Sequence, residues 1–122
     1  MQTIVAYVPD LMFGIRVRDV LQQLGYHAIV ADSLAAAQQA LAADLGLLIV
    51  DLRSESEATS ALVQAAKALD PQLPVLAFGS HVDVERQKAA RAAGCDRVVA
   101  NSKFSSDLPN LIATLVRPQS AS

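Results

Sequence analysis

The sequence predicts an α/β fold in which a doubly wound, five-stranded parallel sheet is covered by five helices. Short apolar runs of Val, Leu and Ile alternate with segments of helical spacing along the chain. The runs lack a polar–apolar alternation, which is typical of parallel strands covered on both faces. Turn residues separate the segments, and crossovers between parallel strands are right-handed. These observations together favour a layered sheet with helices on both sides.

The first part of the chain contains three strands, each followed by a helix. Gly25 stands where a left-handed residue ends the first helix. Asp32 or Ser33 caps the second helix. Leu62 and Leu69 lie on one apolar face of the third helix. The predicted strands are 3–8, 26–31 and 45–50, and the predicted helices are 11–24, 34–43 and 58–69.

The second part continues in the same order. Pro71 and Pro74 separate the third helix from the fourth strand. Ser80 and Asp83 have the spacing of a capping box, and the helix that they open ends at Gly94. The remaining predicted strands are 75–78 and 97–100, and the last helix, opened by Ser105 or Ser106, ends near Pro118.

Length and composition predict one domain over residues 1–118, with a flexible tail at 119–122. No apolar run approaches the roughly 20 residues of a membrane span, and the start of the chain lacks the pattern of a signal peptide. A lone cysteine, Cys95, fits a reducing cytoplasm. A net charge of -2 without a basic cluster argues against nucleic-acid binding. We therefore expect a cytoplasmic protein with neither a membrane nor a nucleic acid as its partner.

Two acidic residues follow predicted strands. Asp51 comes directly after the buried run Leu47–Val50, and Asp10 follows the first strand. The carboxyl edge of an open α/β sheet is where ligands bind, so Asp51 is a phosphoryl acceptor, a metal ligand or a cap of the next segment. Two carboxylates at this edge suit Mg²⁺, which prefers oxygen ligands. Asp10 suits the N-cap of the first helix equally well.

Four landmarks extend this interpretation: Asp51, Leu24-Gly25-Tyr26 after the first helix, Pro74 before the fourth strand, and Ala92-Ala93-Gly94-Cys95-Asp96 before the fifth. With these, essentially the whole chain resembles the receiver domain of bacterial response regulators. The resemblance implies a flavodoxin-like, receiver-type sheet of strand order 2-1-3-4-5 and a phosphoacceptor position at Asp51. It also implies a weak Mg²⁺ site made of Asp10, Asp51 and the backbone carbonyl of Arg53.

The sequence departs from the receiver pattern at several positions. The hydroxyl switch position falls on Gly79, with Ser80 one residue later as a switch or a cap, and the aromatic switch position falls on Val98. The family's lysine is replaced by Asn101, which can give only a neutral hydrogen bond to a phosphoryl group. Lys103 lies two residues further on. The resemblance therefore indicates an atypical or pseudo-receiver, without a cation in the pocket and with phosphorylation-dependent switching lost.

The first functional hypothesis is a stand-alone, non-enzymatic interaction module of bacterial signal transduction. Its partner is a kinase, an effector or a second copy of the chain, bound through the fourth helix, the fifth strand and the last helix. Four basic residues there are either a partner surface or a solvated face: Arg86, Lys88, Arg91 and Arg97.

Two alternatives remain open from the sequence. One is a true phosphoacceptor receiver that is phosphorylated on Asp51 with Mg²⁺. The other is a small flavodoxin-like protein that binds flavin, cobalamin or a nucleotide. Pro9-Asp10-Leu11 stands where a glycine-rich phosphate loop would follow the first strand, which disfavours this last hypothesis.

Overall fold

A computed structural model describes residues 2–118 of the chain, and the predicted tail at 119–122 lies outside the described residues. Five parallel strands form one sheet in the order β2-β1-β3-β4-β5. The predicted sheet and its strand order are confirmed. The strands are β1 (Thr3–Tyr7), β2 (His27–Ala31), β3 (Leu47–Asp51), β4 (Val75–Gly79) and β5 (Arg97–Ala100).

Helices connect the strands and cover both faces of the sheet. None of the helices within residues 2–118 combines the length and the apolar character of a membrane span. The helices are α1 (Leu11–Gln23), α2 (Leu34–Ala40), α3 (Ser56–Leu69), α4 (Val84–Ala93) and α5 (Asn101–Leu115).

The central strand β3 is buried along its whole length, because it contributes to a core on each face of the sheet. Leu47 and Ile49 pack with α1 and α5, whereas Leu48 and Val50 pack with α2, α3 and α4. Side chains alternate between the two faces of a strand, and burial of each such side chain contributes roughly 1.5–3 kcal/mol. The carboxyl end of β3 is therefore held at a fixed position.

The helix caps correct one sequence prediction. Asp83, and not Ser80, is the N-cap of α4, because its carboxylate accepts the Arg86 backbone N–H at 3.2 Å. The Ser80 hydroxyl instead accepts the Val82 N–H at 3.3 Å within the preceding turn. At the other end of α4, Gly94 adopts the left-handed conformation (φ 119°) that the sequence predicts.

The last helix begins earlier than the sequence predicts. β5 passes directly into α5 at Asn101, and the helix bends at Asp107, where φ is -132°. No proline follows Asn101, so no pyrrolidine ring restricts the backbone at this point. The early start directs Phe104 into the core, where its ring stacks on Phe78 at 3.9 Å between centroids.

Candidate functional site

Asp51 is the last residue of β3, and its carboxylate is buried. The side chain is only 1% exposed, and it lies at the carboxyl end of the central strand, where Asp51 pairs with Phe78 of β4. An ionised carboxylate is costly to bury without hydrogen-bond partners or an opposite charge. The neighbours that satisfy Asp51 therefore decide what this edge of the sheet can do.

The guanidinium of Arg53 covers the Asp51 carboxylate. Its Nη2 and Nε atoms donate to Oδ2 at 2.7 Å and 3.0 Å, and Nε also lies 3.1 Å from Oδ1. The backbone N–H of Arg53 donates to Oδ1 at 2.9 Å. Hydrogen bonding with Asp51 raises the pKa of the Arg53 guanidinium above its usual range. Both carboxylate oxygens are thus engaged by one residue of the same loop.

Asp10 approaches the same guanidinium from the other side. Its Oδ2 lies 4.0 Å from Arg53 Nη1, while its Oδ1 accepts the Phe13 backbone N–H at 3.0 Å and caps α1. The Phe13 ring lies below Arg53, with its centroid 5.5 Å from the guanidinium carbon. Asp10 and Asp51, which the sequence assigns to one pocket, therefore converge on an arginine.

This arrangement shows that the expectation of a pocket without a cation is wrong. From the sequence, only the backbone carbonyl of Arg53 is assigned to the site. A positive charge facing Asp51 would be expected near Asn101 or Lys103, where the family has its lysine. The available signal was the spacing, because an Asp side chain commonly accepts the backbone N–H two residues further on in a turn, as Asp51 does from Arg53. A charged residue two positions after a strand-end carboxylate can therefore reach back to it.

The site residues do not fit Mg²⁺ in this arrangement. The guanidinium occupies both oxygens of Asp51, and a second cation beside it would be repelled. One oxygen of Asp10 is also engaged as a helix cap. Within residues 2–118, no three His, Cys, Asp or Glu side chains converge in a way that could hold a metal ion.

A neighbouring tyrosine reports the acidic character around the site. Tyr7 is the last residue of β1, and it is buried in the core on the side of the sheet covered by α2, α3 and α4. Burial raises the pKa of Tyr7, and the carboxylates of Glu55 and Asp51 raise it further. The Tyr7 phenol therefore ionises at a higher pH than that of an exposed tyrosine.

Gly79, at the hydroxyl switch position, lies against Leu52. A Cβ atom built on Gly79 would lie 2.9 Å from the Cβ of Leu52, closer than such atoms approach one another. Leu52 directly follows Asp51 and is 5% exposed. The position therefore lacks a hydroxyl and has no space for a side chain in this packing.

The other predicted switch and lysine positions are spread around the site. Ser80 is partly exposed in the turn before α4, and Val98 packs against the core that includes α3 and α4. Asn101 is exposed in the first turn of α5. Lys103 pairs with Asp107 of the same helix at 2.8 Å instead of reaching Asp51.

Of the four basic residues predicted as a partner surface, Arg86 is hydrogen-bonded to the loop that follows Asp51. Its Nη1 donates to the backbone carbonyls of Leu52 and Ser54, each at 2.6 Å, and its Nε lies 3.1 Å from Asp83. A cavity of about 280 Å³ beside this contact is lined by Leu52, Arg53, Ser80, Asp83 and Arg86. The other three are exposed on α4 and β5: Lys88, Arg91 and Arg97.

Solved structures with a similar fold include response regulator receiver domains and CheY-like proteins. A receiver domain from Clostridium thermocellum matches with a TM-score of 0.80, at 14% identity over 93% of each chain. The chemotaxis protein CheY4 of Vibrio cholerae matches with a TM-score of 0.77, at 19% identity over 95% of this chain and 99% of CheY4. The CheY-like protein tadZ of Pseudomonas aeruginosa matches with a TM-score of 0.75, at 25% identity over 93% and 98%.

These likenesses confirm that the chain has the CheY-like receiver fold. The sequence matches no protein-family model and no curated protein.

Proposed function

We propose that this chain is an atypical receiver domain that acts as a protein–protein interaction module, with phosphorylation-dependent switching lost. We assign residues 1–118 to one domain, in the cytoplasm of a bacterium. The receiver fold supports the signalling role, and the lone Cys95 fits a reducing compartment. The contact between Arg53 and Asp51 carries the proposal.

The Arg53 contact opposes phosphorylation in two ways. A carboxylate must present a free oxygen to attack a phosphoryl group, and both Asp51 oxygens already accept hydrogen bonds from Arg53. A Mg²⁺ ion at this carboxylate, which would help to bind the phosphodonor, would be repelled by the positive charge of Arg53. Arg53 thus compensates the Asp51 carboxylate from within the chain, without a bound cation.

Two further contacts support a fixed conformation. Leu52 fills the space into which a switch side chain at position 79 would project. Arg86 holds α4 to the loop after β3 through two backbone carbonyls. Because the loop after β3 and α4 are held together, the surface of α4 keeps one conformation and needs no phosphorylation to adopt it.

The surface of α4 and β5 is the face that we propose for a signalling partner. Lys88, Arg91 and Arg97 are exposed there, so a kinase or effector with an acidic surface is favoured over an apolar one. A second copy of the chain is the other candidate. Sedimentation of the wild type and of Arg91→Glu separates the two, since a homodimer would give a larger species that the charge reversal dissociates.

A true phosphoacceptor receiver is the second candidate function, and one observation favours it. Asp10 and Asp51 converge on a single guanidinium. If Arg53 swings away, the two carboxylates are left facing the same space. In that state they would suit a divalent cation and Asp51 would be free to react.

Incubation with acetyl phosphate and Mg²⁺ distinguishes these functions. The readout is the phosphoryl adduct in the intact mass, with Asp51→Asn as the control that removes the acceptor. We expect no adduct on the wild type at times when a competent receiver is fully modified. A stoichiometric adduct that is absent in Asp51→Asn would overturn the proposed function and establish the second candidate.

A further inference from the structure

A groove of about 260 Å³ runs between α1 and α5 on one face of the sheet. Its walls are apolar, since α1 contributes Phe13, Val17 and Val20, and α5 contributes Phe104 and Leu108. The three from α1 are three or four residues apart and so share one side of the helix. The bend of α5 at Asp107 lies within the stretch of that helix that forms the other wall.

A single charge lies at the edge of this groove. Arg16 is the one charged residue among the ten that line it. Arg16 is exposed, and it makes no ion pair or side-chain hydrogen bond within the part of the chain that the structure describes. Gln23 and Ser105 provide neutral hydrogen-bonding groups at the same rim. The groove therefore combines an apolar interior with one available cation.

We propose that this groove binds a small amphiphilic carboxylate, such as a medium-chain fatty acid. The apolar chain lies against Phe13, Val20 and Leu108, and the carboxylate receives a charge-assisted hydrogen bond from Arg16. The volume approaches the lower end of the range of ligand pockets, about 300 Å³. A space of about 260 Å³ suits a small ligand better than several turns of a partner helix, which is about 10 Å across. This binding does not depend on the proposed signalling function.

Phe13 provides a local reporter of the site. Its ring lines the groove and also contacts Phe78 and Phe104, with centroids 5.6 Å and 6.0 Å away. A ligand in the groove will therefore shift the ring resonances of Phe13 and Phe104. The third phenylalanine, Phe78, is buried beneath them and away from the lining.

Titration of the full chain with octanoate, followed by NMR, tests the inference. We expect saturable shifts at Phe13, Val20 and Phe104, and a weaker response to octanol, which lacks the charge. Arg16→Gln should weaken octanoate binding by about tenfold and leave octanol binding unchanged. Arg18→Gln, an arginine of the same helix outside this groove, is the matched control and should bind octanoate like the wild type.

Val20→Asp introduces a charge into the apolar wall and should abolish binding of both probes in a protein that circular dichroism shows to be folded. Shifts that do not saturate, or an Arg16→Gln variant with wild-type affinity for octanoate, would overturn the proposal. It would also be overturned if an acidic amphipathic peptide, or a second copy in sedimentation, occupied the groove while octanoate did not bind.

Discussion

Arg53 Nη2 lies 2.7 Å from Asp51 Oδ2, and this contact joins a half-exposed guanidinium to a carboxylate that is 1% exposed. Arg53 lies in the loop after β3, two positions after Asp51. The strand-end carboxylate is thus satisfied by its own chain, without a lysine at position 101. The contact explains how Asp51 can be buried as a carboxylate although positions 101 and 79 hold neither a lysine nor a hydroxyl.

Removal of the Arg53 side chain should destabilise the fold. Arg53→Ala leaves the buried Asp51 carboxylate with a backbone N–H and no compensating charge, and we expect a loss of about 1–3 kcal/mol. Urea unfolding measures this loss. In the Asp51→Asn background the same substitution should cost much less, because the charge that Arg53 compensates is gone. Equal losses in both backgrounds would mean that Arg53 acts through packing alone.

A serine at position 79 should destabilise the fold. Gly79→Ser places a Cβ against Leu52, and we expect a loss of about 1–3 kcal/mol from overpacking. The cost should fall when Leu52→Gly is also present, because the atom nearest to the new side chain is the Leu52 Cβ, which Leu52→Ala would keep. Thermal unfolding of the four proteins of this cycle measures the coupling, and additive losses would contradict the proposed clash.

Most of the fold could be predicted from the sequence, because its signals are local. The apolar runs define the strands, and Gly25 and Gly94 have the positive φ values that end α1 and α4. The start of α5 was missed because its N-cap is Ala100, which has no side chain that could cap a helix, and the early start buries Phe104 against Phe78. That contact joins two elements far apart in the sequence.

The sequence placed Asp10 and Asp51 at one pocket but did not reveal that the Arg53 side chain lies between them. Asp10 and Asp51 do face a common group, but the role of Arg53 depends on the direction of its side chain. By contrast, the contact of Gly79 with Leu52 and that of Arg86 with the Leu52 carbonyl join separate elements of the fold. Such contacts follow from loop geometry and have no periodicity that the sequence would reveal.

Arg86 should fix α4 to the loop after β3. Arg86→Gln removes the donor shared by the Leu52 and Ser54 carbonyls, and we expect a loss of about 1–2 kcal/mol with faster amide exchange in residues 52–56 and 84–88. Arg91→Gln, an exposed arginine on the same helix, should stay within about 0.5 kcal/mol of the wild type. Unchanged exchange in Arg86→Gln would contradict this role.

Cys95 should make stability fall at alkaline pH. Burial raises the pKa of Cys95 from 9.0 to about 11, and Asp96 adds to the rise. The folded state therefore holds the thiol proton more tightly than the unfolded state does. This contribution, up to roughly 2 kcal/mol, is complete below pH 9 and is lost as the pH rises through about 11.

The measurement is the unfolding free energy of the wild type and of Cys95→Ala across this pH range. Tyr7 titrates in both proteins, so the difference between them isolates the thiol. A difference that stays constant with pH would contradict the buried, protonated thiol.

Titration of the wild type and of Arg53→Ala with Mg²⁺, followed by the backbone NMR signals of residues 10 and 51–54, tests the central claim most directly. We expect no saturable shift in the wild type at millimolar Mg²⁺, because the guanidinium holds the cation position. In Arg53→Ala a saturable shift should appear, and Asp51→Asn in that background should remove it. Saturable Mg²⁺ binding by the wild type at those residues would contradict the account.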